Sequence, residues 1–207
     1  MMNNTPTRDN YRDHGAIEPI PAHGSHSARR SALWLAAPVG TFVLVSLVIG
    51  GLASRTTGRY PTPPSFHLFF SDTIHMKVWL ATGVVGLAVC QILTAARMFE
   101  VIRWLPGGPI WARLHRISGY VAILLSLPVA YHCVFLLGFE TDSLRVTLHS
   151  LLGSALYGAF LGKMIVVRSD RFPGWALPLA GAVLFALLVG IWLTSSFHVF
   201  IRHGLKL

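Results

Sequence analysis

The chain of 207 residues is 53% hydrophobic and 12% charged, with a mean hydropathy of +0.58. That balance excludes an ordinary soluble domain and fits an integral membrane protein. The net charge of +9 does not indicate nucleic acid, because the basic residues stand singly beside apolar runs and build no groove-reading face.

Five runs are long enough to cross a bilayer, which takes about 20 residues each: Ala32 to Ala53, Met76 to Ala96, Ile117 to Phe139, Leu144 to Val167 and Trp175 to Ser196. Hydrocarbon does not tolerate unpaired backbone polar groups, so each run is expected to be a helix. The fold class is therefore all-α, an integral membrane bundle of five transmembrane helices.

Residues 1–31 are polar, contain Pro6, Pro19 and Pro21, and show no apolar periodicity, which predicts a disordered cytoplasmic tail. The tail is not a signal peptide, since the first apolar run starts only at residue 32 and is long enough to span. His14, His23 and His26 are too irregularly spaced for a metal site and read as solvated residues. The first span, 32–53, has no polar residue beyond Thr41, Ser46 and its glycines, and is expected as a peripheral helix outside a four-helix bundle formed by residues 72–200.

After it, Pro61, Pro63 and Pro64 lead into Phe66-His67-Leu68-Phe69-Phe70, an extended segment and an aromatic stretch suited to the outer interface. Asp72 is placed to cap the second span, and Lys77 to reach the headgroups. Gln91 is an isolated amide in hydrocarbon, best explained by an interhelical hydrogen bond. The loop from Arg97 to Arg113, with Pro106-Gly107-Gly108-Pro109, is a turn on the cytoplasmic side.

The third and fourth spans form the expected centre, a helical hairpin from Arg113 to Lys163. Counted from its turn at Glu140 to Ser143, His132 and His149 both lie roughly 10 Å in at helical rise. Gly153, four residues after His149, shares its face and leaves room for a flat macrocycle beside the imidazole. Pro128 stands four residues before His132, where it bends the helix and frees a carbonyl. The Gly158 and Gly162 pair is a helix-packing signal. The fifth span is apolar up to Thr194-Ser195-Ser196-Phe197-His198.

No Asp or Glu lies inside a span, which ranks ion-coupled transport low, because such machines use intramembrane carboxylates. No nucleophile, base and orienting acid share one depth, which excludes a triad. His132, Cys133 and His149 supply too few convergent ligands for zinc, and Cys90 and Cys133 differ too much in depth to form a disulfide. Axial ligation of b-type haem asks for less: imidazoles at one depth, an apolar slot, small residues and a basic group for the propionates. His132 with His149 meets this, with Arg145 or Lys77 at the interface. Because packed helices run 8–10 Å apart, a diagonal pair such as His75 with His149 is the alternative. His198 is a weaker candidate at a span end, and hydrogen-bonded interior histidines are the competing account.

The run Leu114-His-Arg-Ile-Ser-Gly-Tyr with His132-Cys133, and His149-Ser-Leu-Leu-Gly followed by Lys163, resembles a bacterial multi-pass membrane family of unknown function. That family is distantly similar to the b-type cytochromes of the ascorbate and ferric reductase group, and the likeness covers roughly Asp72 to Ser196. The resemblance implies helix-borne histidines holding haem, and electron transfer across or along the membrane. Those cytochromes hold a haem on each side, whereas here the inner layer has only His115, which argues against a second haem.

The sequence thus predicts a haem-b redox subunit with His132, His149, His75 and Gly153 at the cofactor. It would pass electrons between an outer-face partner, an iron–sulfur or flavin protein, and a quinone or other membrane carrier. The alternative is a structural or assembly subunit without cofactor. No nicotinamide or flavin fold fits outside the spans. Ten basic residues fall on one side of the membrane and six on the other, with Lys163 inside a span. This puts the N-terminus in the cytoplasm and the C-terminus outside.

Overall fold

The computed structural model describes residues 24–58 and 64–204, with side chains from Trp34 onward except that of His203. It is all-helical, with five helices long and apolar enough to cross a membrane. These are α1 (Gly24–Thr56), α2 (Thr73–Met98), α3 (Ile110–Tyr131), α4 (Leu144–Val167) and α5 (Ala176–Thr194). A π-helical turn, His132–Leu137, continues α3, and a short α6, Ser196–His203, follows α5. Large apolar side chains cover the outside of the bundle: Leu47 is 69% exposed and Leu124 64%. In lipid such a surface carries no hydrophobic penalty, so association must come from close packing and polar bonds.

Local chemistry sets the helix ends. Asp72 accepts the N–H groups of Ile74 at 2.7 Å and His75 at 2.9 Å, the cap expected of it. Ser143 Oγ accepts Val146 N–H and starts α4. The first helix begins at Gly24, earlier than the expected boundary at residue 32, while the expectation of a disordered tail for residues 1–23 lies outside the described residues. The third helix starts at Ile110, directly after Pro109, so His115 lies inside it.

Helix neighbours differ from the expected hairpin. The helices α3 and α4 are not packed along each other; α3 lies against α2, and α4 lies between α1 and α5. With α5 against α2, the order around the bundle is α3, α2, α5, α4, α1, and the π turn closes the ring onto α1. Nor is α1 set apart from a four-helix bundle. A Cβ built on Gly158 would fall 2.5 Å from the Phe42 carbonyl oxygen, and one on Gly162 would fall 3.0 Å from that of Pro38, so the two backbones nearly touch. At its C-terminal end, Thr56 Oγ1 donates to the Val134 carbonyl in the π turn, and Phe139 N–H reaches Thr57 Oγ1 at 3.0 Å.

Gln91 makes the interhelical bond expected of a lone amide, donating to the His115 carbonyl and, at 2.7 Å, to Ser118 Oγ. Thr94 adds a contact to His115 Nδ1 at 2.9 Å. Across the ring, Trp192 Nε1 donates to Thr82 Oγ1 at 2.9 Å and fastens α5 to α2.

Candidate functional site

Because α3 and α4 stand apart, the ring encloses a chamber of about 430 Å³ at the end where α2 and α4 begin and α3 and α5 finish. Its walls are mostly apolar, from Ile49 and Ala53 of α1 round to Leu188 and Ile191 of α5. Polar groups interrupt them, among them Lys77, Arg145, His149 and His198, the hydroxyls of Ser126 and Tyr157, the Cys133 thiol, and Glu140. An apolar hollow with a few convergent polar groups is the usual form of a small-molecule site.

His149 is held by the end of α5. Thr194 Oγ1 lies 2.8 Å from the Gly190 carbonyl and 3.0 Å from that of Ile191, and can donate to either. His149 Nδ1 lies 3.2 Å from the same oxygen; with the hydroxyl hydrogen on a carbonyl the imidazole is the donor there, which leaves Nε2 as the lone-pair nitrogen. One turn earlier Arg145 donates from Nη1 to the Thr194 carbonyl at 2.6 Å. Thr194 is thus gripped at side chain and backbone where α5 stops. Ser195 breaks the helix there, Ser196 is 1% exposed, and His198 enters the chamber wall from α6.

Beside His149 the wall is open. A Cβ on Gly153 would meet no heavy atom within 4 Å, so the glycine borders free space, as a cofactor slot requires. One further turn along that face stands Tyr157. Its hydroxyl shares a hydrogen bond with Ser126 Oγ at 2.9 Å, which ties α4 to α3.

Residues 32–207 match a family of unknown function, DUF6529. The chain belongs to that family. It is also similar to a phospho-N-acetylmuramoyl-pentapeptide-transferase from Bartonella quintana (strain Toulouse), 28% identical over 190 residues, which is 87% of this chain and 50% of that protein. The chain thus spans about half the length of that curated relative. No solved structure matches it. The family's description names no cofactor, and these matches show no likeness to b-type cytochromes.

The structure separates the histidines that the sequence placed in one layer. His132 is 1% exposed and does not line the chamber. Its Nδ1 lies 2.8 Å from the Pro128 carbonyl, which can only accept, so Nδ1 is the donor. Nε2 then accepts the Phe66 N–H at 3.3 Å. Both ring nitrogens are occupied, and the imidazole pins the segment after Pro64 to the π turn, with Phe66 edge-on at 4.5 Å between ring centroids. The carbonyl that His132 uses belongs to Pro128, the residue whose missing N–H precedes the π turn.

His75 is likewise outside the chamber, its Nδ1 at 2.5 Å from the Asp72 carboxylate at the start of α2. Of the four expected cofactor residues, the chamber holds His149 and Gly153, and the structure adds His198. Among the described residues no three His, Cys, Asp or Glu side chains converge as a metal cluster would. Tyr157 and Thr194 were not singled out from sequence. Tyr157 was within reach of the same periodicity, eight residues after His149 and four after Gly153, whereas Thr194 becomes meaningful only once α5 lies against α4.

Proposed function

We propose that this chain is a haem-b-binding membrane redox subunit whose cofactor would be held in the chamber by the His149 imidazole. The observation that carries the reading is the place of His149: its ring is held through Nδ1 by Thr194 at the wall of an apolar hollow, beside the open space over Gly153. Such second-sphere bonding fixes ring orientation and raises ligand basicity. Lys77 and Arg145 supply cations for the two carboxylates of the macrocycle, and His198 offers a second imidazole on the same wall. A bound haem supplies a one-electron iron couple. The protein's part is to hold it dry, orient the imidazole and neutralise its carboxylates.

In this reading the chamber faces the outer side and electrons pass between an outer iron–sulfur or flavin partner and a quinone or other membrane carrier. The excess of basic residues on the opposite side supports that orientation. A second reading draws on the same two cations. Lys77 and Arg145 also suit a phosphate-bearing ligand, such as the phospho-N-acetylmuramoyl-pentapeptide in the Bartonella protein's name.

Absorbance separates the two. Protein produced with haem available should show a Soret band and a reduced alpha band, lost in His149→Ala and kept in His115→Ala, whose residue bonds Thr94 at the far end of α2. A colourless wild-type protein would reject the haem reading and leave the phosphate-bearing ligand or a cofactor-free assembly subunit. A coloured His149→Ala protein would reject the ligand assignment.

A further inference from the structure

At the end of the bundle away from the chamber, a second concavity of about 430 Å³ lies between α1 and α4. It is lined by Thr41 on α1 and by Leu161, Met164, Ile165, Arg168 and Ser169 on or just after α4. Residues 161, 164, 165 and 168 are spaced i, i+3, i+4 and i+7, so they form one face, apolar for its first turns and ending in a guanidinium. At helical rise that face runs about 10 Å from Leu161 to Arg168.

The two helices are antiparallel here. Gly162 lies against Pro38, and Arg171 is seated 4.2 Å over the Trp34 ring. The groove therefore points from the hydrocarbon toward Arg168 and Ser169, while Arg171, engaged on Trp34, stays outside its lining. Asp170 is exposed between them, yet among the described residues neither arginine forms an ion pair.

We propose that this groove binds one anionic phospholipid, its phosphate on Arg168 and the Ser169 hydroxyl and an acyl chain along Leu161, Met164 and Ile165. The occupant follows from the pairing of the walls. A free phosphate would gain nothing from the apolar face, and a zwitterionic lipid would bring its own cation beside Arg168 to compete for the phosphate. Basic pockets between spans recognise anionic headgroups in this manner. The α4 C-terminus carries partial negative charge, so the helix end itself disfavours an anion and the selectivity must come from Arg168.

The full chain purified in detergent would be offered dioleoyl-phosphatidylglycerol, dioleoyl-phosphatidylcholine or inorganic phosphate. Bound lipid would be read by native mass spectrometry, and protection by the thermal midpoint. Phosphatidylglycerol should be retained in preference to phosphatidylcholine and should raise the midpoint, while phosphate should not. Arg168→Gln should reduce the preference about fivefold, the loss of one basic residue's pull on an anionic headgroup, and Arg168→Lys should largely keep it. Thr41→Trp should exclude both lipids. Equal retention of the two lipids by wild type would overturn the proposal, as would an Arg168→Gln protein with the full preference. Protection by phosphate alone would likewise overturn it, leaving an anion site without a lipid. Arg168 is exposed, so its replacement leaves the fold intact for the comparison.

Discussion

Two glycines on α4 make opposite predictions, and the contrast tests the helix order on which the chamber depends. At Gly158 an added Cβ would lie 2.5 Å from the Phe42 carbonyl oxygen and 2.5 Å from Ser46 Oγ, whereas ordinary contact begins near 3.4 Å. Gly158→Ala must therefore drive α1 and α4 apart by about 0.9 Å, the difference of those two distances, and backbone cannot yield as a side-chain tip would. Overpacking of that kind costs about 1–3 kcal/mol. At Gly153 the same methyl meets nothing within 4 Å, and replacing a helical glycine with alanine favours the helix by about 1 kcal/mol.

In detergent, followed by tryptophan fluorescence on heating, Gly158→Ala should melt earlier than wild type and Gly153→Ala at the same temperature or slightly later. With the chamber ligand present the second variant should lose part of the ligand's protection, because its methyl occupies the ligand's space. If Gly158→Ala melts with wild type, α1 does not pack along α4 as described and the ring around the chamber is wrong.

His132→Ala should remove the acceptor of the Phe66 N–H and destabilise the protein by about 1–3 kcal/mol, while leaving any haem spectrum unchanged; a bleached His132→Ala protein would return that histidine to the ligand set. The carboxyl of Asp72 is held below its ordinary value first by the His75 backbone N–H and then by the His75 ring. Its stabilising effect is therefore complete above the unfolded carboxyl range near pH 4 and is lost as pH falls through the lower folded value. Asp72→Asn, which caps without titrating, should flatten the acid limb of a midpoint-against-pH curve, and an unchanged limb would exclude Asp72 as its source. Reporter fusions after Thr57, Leu105, Asp142, Arg171 and Leu207 should alternate in sidedness and end outside; a cytoplasmic C-terminus would move the chamber to the other face.

The number of spans and most of their limits were legible in the sequence. Run length against bilayer thickness is a one-dimensional constraint, and it placed α4 at Leu144–Val167 without error. Asp72 as a cap and Gln91 as a bridge were also legible, because a lone polar group in an apolar run has few ways to be satisfied. Which helices are neighbours was not. In a soluble bundle the apolar stripe marks the buried face, but in lipid both faces are apolar, so nothing in α3 or α4 disclosed that they stand apart while α1 takes the place beside α4. The sorting of the histidines followed from that tertiary choice. His132 and His149 share a depth, a property of sequence spacing. Whether each ring meets a backbone N–H from 66 residues upstream or the hydroxyl of Thr194 beside an open chamber depends on rotation and neighbours, which only the packed structure specifies.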